Sequence, residues 1–183
     1  MNTPPDNGQA WAQGSPLTFA EFGLDRELPE WEDPNWLRPV IHLGPGIKHI
    51  PGTIEYEWPE WDFDKLGTPT GPPMFPHKPG SVGGVIATHV LEHLRDPRPL
   101  LREVSRILAP GCPFNILVPH GDSLMFKQDL DHKTAFVTET WKTLLENPYY
   151  AKEHDGFSFR LGANFLFGVK ESNLALITQL IKV

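Results

Sequence analysis

Two glycines and an acid follow two short β-branched runs in the first third of the chain. Gly44 and Gly46, with one proline between them, come directly after the first run. Glycines at the carboxyl end of a buried parallel strand let the backbone approach a ligand closely. Glu57, or Glu55 as the alternative, ends the second run, where its carboxylate could accept hydrogen bonds from a ribose diol. A short G-x-G is also typical of ordinary turns, so the surrounding residues must decide.

A histidine-rich stretch follows a third β-branched run. His89, Glu92 and His93 spell H-x-x-E-H, an inverted zinc-peptidase motif whose histidines could share a metal if they lay on a helix. Residues 82–88 (VGGVIAT), however, predict a strand that ends just before His89. We therefore favour a tight turn in which Glu92 and His93 satisfy backbone groups.

A second polar cluster follows a later strand candidate. Its members are His120, Asp122, Asp129, Asp131 and His132. Carboxylate oxygens and imidazole nitrogens would suit a divalent ion. Asp and His side chains that cap turns are more common in such loops, so the sequence predicts no metal site.

Hydrophobic patterning and turn residues predict the elements that position these groups. The predicted strands are 39–43, 53–57, 82–88, 114–118, 157–169 and 174–183. Only residues 44–52 separate the first two strands, which is too short for a helical crossover, so a helix there is absent or reduced to a turn. The order of elements predicts an α/β sandwich with a largely parallel sheet and a closing C-terminal hairpin.

Two helices complete this pattern. Asp96 and Pro97 are typical of a helix start, and Pro110-Gly111 ends the apolar stripe that follows. Thr138 is a candidate cap for a shorter helix that ends before Pro148. Three arginines share one face of the first helix, and we interpret that face as solvated rather than as an anion-docking surface; they are Arg98, Arg102 and Arg106.

Composition narrows the class of protein. The 183 residues include 20 Pro and 16 Gly, and 16 Lys+Arg against 23 Asp+Glu give a net charge of −7. Without a Lys/Arg cluster, tight nucleic-acid binding is not expected. The single cysteine excludes an internal disulfide. Apolar runs are too short for a membrane span and no signal pattern is present, so we expect a soluble, cytoplasmic protein.

The ends of the chain differ in character. Residues 1–16 are small, polar and rich in Pro and Gly, which predicts a flexible arm before a single domain of residues 17–183. The last predicted strand ends at Val183 and could lie at a sheet edge that is available for pairing, so the oligomeric state is open and an oligomer is possible.

Residues 81–111 resemble class I S-adenosylmethionine-dependent methyltransferases, in which a strand ends in a His-Val-Leu-Glu-His-like turn before a helix and a Pro-Gly turn. The resemblance extends upstream to LGPGIKHIPGTIEYE, which is similar to the family's glycine motif and ribose acid. Downstream it includes FNILVP and DLDHKTAFVTETWKTLL. It covers about residues 38–183, and the pattern is most similar to small methyltransferase-like proteins encoded by tailed bacteriophages, which implies the host cytoplasm.

This resemblance implies a Rossmann-like methyltransferase sandwich with a reduced first helix and S-adenosylmethionine as its cofactor. Gly44 and Gly46 would pass under the methionine part, Glu57 would hold the ribose, and Asp62 would lie near the adenine. Thr88 and His89 would face the sulfonium and the substrate. His89 could act as a general base, and His132, on the predicted rim of the acceptor site, is the second candidate catalytic residue. The methyl acceptor is not identified.

Some residues depart from the family pattern. Pro45 removes one backbone donor from the glycine turn, and Gly84 stands where an acid is often found. Our first hypothesis is S-adenosylmethionine-dependent methyl transfer, which His89 and the Asp131-His132 loop favour, whereas Pro45, Gly84 and the missing helix favour an alternative. In that alternative, the fold binds a ligand or a protein partner and catalyses nothing.

Overall fold

The computed structural model describes residues 38–65, 74–147 and 157–183. The predicted flexible arm, residues 1–16, lies outside these ranges, as do residues 17–37 at the front of the predicted domain. The division of the chain into an arm and one domain therefore stays a prediction.

Six strands in the described part of the chain form one mixed sheet. The strands are β1 (Val40–Leu43), β2 (Thr53–Tyr56), β3 (Gly84–Thr88), β4 (Pro113–Pro119), β5 (Phe159–Phe167) and β6 (Ala175–Lys182). They lie in the order β2-β1-β3-β4-β6-β5. The neighbours from β2 to β4 are parallel, whereas β6 is antiparallel to both β4 and β5. The predicted α/β fold, with its mostly parallel sheet and C-terminal hairpin, is confirmed.

The helices in the described part of the chain are few and short. They are α1 (Arg98–Ile107), α2 (Leu124–Lys127) and α3 (Thr138–Glu146), together with a 3₁₀ turn at Leu91–His93. Asp96 lies one residue before the N-cap Pro97 and accepts a hydrogen bond from the first N–H of α1 at 3.0 Å, so the helix begins one residue later than predicted. Residues 44–52 contain turns and no helix, as predicted. None of the described helices is both long enough and apolar enough to span a bilayer.

Strand β3 is buried on both faces and divides the core into two unequal parts. Because side chains alternate along a strand, Val85 and Ala87 face the larger cluster, which also contains the apolar side of α1. Ile86 faces a smaller cluster with Ile50 and Leu117. Among the described residues, this second face is covered by a loop and the short α2, with no long helix, which agrees with the missing crossover helix.

Two of the three arginines of α1, Arg98 and Arg106, form ion pairs within the fold. Arg106 forms an ion pair with Glu103 at 2.6 Å and also donates to the carbonyl of His77 at 2.8 Å. Glu103 accepts the N–H of Phe75 at 2.9 Å, so the pair ties residues 75–77 to the helix. Arg98 pairs with Asp96 at 2.8 Å. These pairs explain the arginine spacing without an anionic ligand.

The prediction that the last strand lies at a sheet edge is wrong. Strand β6, which ends at Lys182, lies between β4 and β5, and the edges are formed by β2 and β5. Its register places Phe114 of β4 opposite Leu180 and pairs Phe167 of β5 with Ala175. The interior position of β6 agrees with its side chains, which are more buried than those of β5.

Candidate functional site

The strand register brings the carboxyl ends of β1, β2 and β3 together at one end of the sheet. Leu43 is paired with Tyr56 on one side and with Ala87 on the other. The residues that follow these strands therefore lie side by side, and the N–H of Gly44 donates to the carbonyl of Tyr56 at 2.9 Å. Above this edge is a cleft of about 1340 Å³. In open α/β sheets this edge is where ligands bind.

All of the cofactor residues predicted from the sequence line this cleft. They are Gly44, Gly46, Glu57, Asp62, Thr88 and His89. His132, the second candidate catalytic residue, does not line it, although Asp131 and Lys133 on either side do. The structure thus brings together residues from three loops and places His132 behind the wall of the cleft.

Gly44 is required by both backbone conformation and space. Its φ is +62°, which L side chains rarely adopt. A Cβ atom at this position would lie 2.3 Å from Cγ2 of Val90. Gly46 also has a positive φ, +53°, but a Cβ there would meet nothing within 4 Å. The chain therefore approaches β3 closely at Gly44, whereas Gly46 borders open space in the cleft.

Glu57 links the glycine turn to the loop after β2. Its Oε2 accepts the N–H of Gly46 at 2.6 Å, and its Oε1 accepts the N–H of Trp58 at 3.1 Å. A carboxylate has about four lone-pair positions, so two of them remain for a ligand. The two backbone bonds fix the carboxylate at the edge of the cleft, where it can accept a pair of hydroxyl groups.

Thr88 lies in the wall of the cleft, where its hydroxyl is bonded within the protein. The hydroxyl donates to the carbonyl of Gly44 at 3.3 Å, and Nε2 of His42 lies 2.9 Å from it. Since the hydroxyl donates to Gly44, it accepts from the His42 ring, and Nδ1 of His42 is the unprotonated nitrogen. Nδ1 has no hydrogen-bond partner among the described residues. The sequence patterns did not single out His42, which nevertheless supports the glycine turn from below.

His42 is expected to make the folded protein less stable in mild acid. Burial lowers the pKa of His42 from 6.5, and the nearby charges of Glu55 and Glu57 oppose this only in part. The contribution of neutral His42 to stability is full above the pKa that His42 has in the unfolded chain. It is lost as the pH falls through the lower pKa of the folded protein, because in between only the unfolded chain readily takes up the proton. Urea midpoints at about pH 7.5 and about pH 5 should fall more for wild type than for His42→Gln. Equal falls would contradict this assignment.

The segment after β2 places acids at the cleft. Asp62 forms an ion pair with Lys65 at 2.7 Å, and this contact holds the pKa of Asp62 below its usual value. Asp64 accepts the N–H of Arg95 at 2.9 Å and pairs with Lys133 at 3.0 Å. Asp64 therefore joins three segments around the cleft, and neither it nor Lys133 carried a sequence signal.

His89 combines an unusual backbone conformation with a buried partner. Its φ is +55°, in the left-handed region that non-glycine residues rarely enter. Its N–H donates to the carbonyl of Leu117 at 2.9 Å, which holds the bend after β3. Nδ1 lies 3.1 Å from Oε1 of Glu92, a completely buried carboxylate. A carboxylate on Nδ1 directs the proton to that nitrogen and leaves Nε2 as the basic atom.

The polar cluster predicted after the strand at 114–118 is divided in the structure. The Nδ1 of His120 accepts the N–H of Asp122 at 3.2 Å. Asp129 accepts the N–H of Asp131 at 2.9 Å, and this contact holds the pKa of Asp129 below its usual value. These are the turn-capping roles that the sequence favoured. His132 lies apart from His120 and packs instead against His93, with ring centroids 4.8 Å apart.

The H-x-x-E-H motif does not form a helix. His89 lies in the bend directly after β3, and Glu92 and His93 lie on the 3₁₀ turn Leu91–His93. The spacing that would place His89 and His93 on one helical face is therefore absent, which removes the basis for a zinc-peptidase interpretation. The side chain of Glu92 contacts His89 in the bend. Its backbone carbonyl accepts the N–H groups of Lys133 and Thr134 at 2.7 and 3.0 Å.

Comparisons with known proteins agree on this fold. Residues 71–115 match a family described as a methyltransferase domain. A candidate S-adenosylmethionine-dependent methyltransferase from Listeria monocytogenes has a TM-score of 0.53 at 11% identity, covering 94% of this chain and 99% of that one. A 16S rRNA adenine methyltransferase from Catenulisporales acidiphilia has a TM-score of 0.51 at 14% identity, covering 80% and 85%.

A third structure, a SAM-dependent methyltransferase from Methanosarcina mazei, has a TM-score of 0.50 at 10% identity, covering 79% of this chain and 92% of that one. No curated protein sequence matches the chain. The described part of the chain therefore has the fold of the S-adenosylmethionine-dependent methyltransferases.

Proposed function

We propose that this protein binds S-adenosylmethionine in the cleft and transfers its methyl group to an acceptor. The observation that carries the proposal is the meeting of the Gly44 turn, Glu57 and His89 at the carboxyl edge of three parallel strands. The matched methyltransferase domain and the methyltransferase fold of the similar structures support it.

The residues at this edge fit the cofactor part by part. Gly44 and Gly46 allow the methionine part to lie against the backbone, since neither presents a side chain there. The remaining lone pairs of Glu57 accept the two ribose hydroxyls. Trp58, which is 69% exposed, and Asp62 line the cleft next to Glu57, where the adenine would lie. An aromatic ring at this point offers a stacking surface.

Methyl transfer requires little acid–base catalysis from the protein. Bound S-adenosylmethionine supplies an activated methyl whose sulfur leaves with the bonding electron pair as the acceptor bond forms. The cleft walls would position the acceptor beside the bound cofactor. His89, with Nδ1 held by Glu92, can take a proton from an acceptor that must lose one. His132 does not line the cleft, so the proposal gives it no direct part in the transfer.

The cleft has room for an acceptor beside the cofactor. Its volume of about 1340 Å³ exceeds the range of roughly 300–1000 Å³ that is usual for single-ligand pockets.

Two residues suggested a degenerate, non-catalytic protein, and their positions in the fold are compatible with cofactor binding. Gly84 begins β3, at the end opposite to the cleft, and Pro45 lies in the cleft wall with its carbonyl bonded to Lys48. A phage origin and a cytoplasmic location stay predictions.

Calorimetric titration tests the proposal. We expect S-adenosylmethionine and S-adenosylhomocysteine each to bind in a 1:1 ratio, with dissociation constants between about 1 μM and 1 mM. Adenosine should bind more weakly, because it lacks the part that lies over the glycine turn. If neither cofactor form produces a binding isotherm at millimolar concentration, the proposal is wrong.

A further inference from the structure

Two segments on one side of the cleft are tied together by backbone hydrogen bonds. The 3₁₀ turn Leu91–His93 meets residues 129–134, where the N–H groups of Lys133 and Thr134 both donate to the carbonyl of Glu92. The hydroxyl of Thr134 donates to the carbonyl of Leu94 at 2.6 Å. These bonds fix the second segment against the turn, so that the side chain of His132 is brought to Glu92 and His93.

Three metal-binding side chains converge at this junction. Glu92, His93 and His132 each offer a ligand atom, and these atoms all lie within 4.8 Å of one another. Glu92 is completely buried, and its Oε2 has no hydrogen-bond partner among the described residues. The side chain of His132 is only 6% exposed. A buried carboxylate oxygen without a partner is costly, and a cation would satisfy it.

Hydrogen bonds at Nδ1 orient both imidazoles. Nδ1 of His93 lies 3.3 Å from the carbonyl oxygen of Asp131, and Nδ1 of His132 lies 3.0 Å from that of Phe126. A carbonyl only accepts, so each Nδ1 carries the proton and each Nε2 keeps its lone pair. This is the arrangement by which proteins hold metal-binding histidines. His89 in turn donates to the other oxygen of Glu92, which orients the carboxylate.

From this geometry we infer that Glu92, His93 and His132 form a site for a divalent transition-metal ion, with Zn²⁺ the best fit. Two imidazoles and one carboxylate are a ligand set that suits zinc, and bond lengths near 2.0–2.2 Å require the donors to draw together by roughly an ångström or more. Asp129, whose Oδ2 lies 3.6 Å from Nε2 of His132, is a candidate for a fourth ligand.

The ion would stand at the wall of the cleft, because His93 and Asp131 line it. An open coordination position there could hold an oxygen of the methyl acceptor and lower its pKa. This use of the ion rests on the proposed function, whereas binding of the ion does not. The H-x-x-E-H motif contains a different set of candidate metal ligands, because it includes His89 and omits the distant His132.

Metal analysis of tag-free protein tests the inference. After incubation with Zn²⁺ and gel filtration, wild type should retain about one equivalent, and Co²⁺ should give a visible d–d absorption band. Glu92→Gln and His132→Ala should each weaken Zn²⁺ binding by about 100-fold or more. His49→Ala is the matched control, because His49 is an exposed histidine paired with Glu55 outside this cluster.

Two further measurements keep the outcomes distinct. If His132→Ala loses its circular dichroism signal, His93→Gln decides, since His93 is more exposed than Glu92. Wild type that retains no stoichiometric Zn²⁺, or Glu92→Gln and His93→Gln variants that bind as wild type does, would overturn the site. Titration of metal-free protein with S-adenosylhomocysteine tests the proposed function separately.

Discussion

Replacing Gly44 with alanine is expected to lower the free energy of unfolding by about 3 kcal/mol. Two effects add. A φ of +62° is unfavourable for alanine, and the new Cβ would lie 2.3 Å from Cγ2 of Val90, a buried β-branched side chain. A stiff side chain yields little, so either β1 or the bend after β3 must move. Urea unfolding of the two proteins at neutral pH measures the difference.

Gly46→Ala separates the two effects. Gly46 also has a positive φ, but its Cβ would enter open space, so we expect a loss of only about 1 kcal/mol. In a double-mutant cycle, Val90→Ala should remove part of the cost of Gly44→Ala, because it deletes the clashing methyl groups. If Gly44→Ala and Gly46→Ala cost the same, close packing at Gly44 is not what requires glycine there.

The elements near this turn were predictable because their signals are local. The β-branched runs at 39–43 and 82–88 appear as β1 and β3, shortened by one and two residues at their starts. Asp96 and Pro97 set the start of α1, and its apolar stripe packs into the larger core cluster. Each of these features depends on residues within a few positions of one another, so the sequence carries it directly.

The features that were missed are either too short to show a pattern or depend on contacts between distant segments. Helix α2 has only four residues and no buried side chain, so it has no apolar period; Ser123 caps it by accepting the N–H of Phe126 at 3.1 Å. The place of β6 inside the sheet follows from its pairing with β4, which no local pattern encodes.

The same distinction applies to the site. The glycine turn and Glu57 could be found because each follows its own strand. The support from His42 required knowing that Thr88 lies beside it, and the Glu92–His132 junction required the two segments to be placed together. The H-x-x-E-H motif is continuous in sequence and contains no signal for His132, which only the fold places beside His93.

Glu57→Ala should weaken the affinity for S-adenosylmethionine by about 100-fold, the second large effect we expect. A hydrogen bond to a charged group contributes about 1.5–3 kcal/mol, and the proposed ribose contact makes two, although part of this is offset by desolvation. Glu57→Gln keeps the shape but loses the charge and one acceptor, so its affinity should fall about tenfold. Calorimetric titration of each variant gives these ratios directly.

Glu55→Ala is the matched control for this prediction. Glu55 lies two positions earlier, on β2 itself, where it pairs with His49 at 2.8 Å and does not line the cleft. Its removal should leave the affinity within about twofold of wild type, since surface ion pairs contribute little. Glu57→Ala also deletes acceptors for Gly46 and Trp58, so its urea midpoint must be measured alongside. Loss of affinity in Glu55→Ala, with Glu57→Ala unchanged, would assign the ribose contact to Glu55.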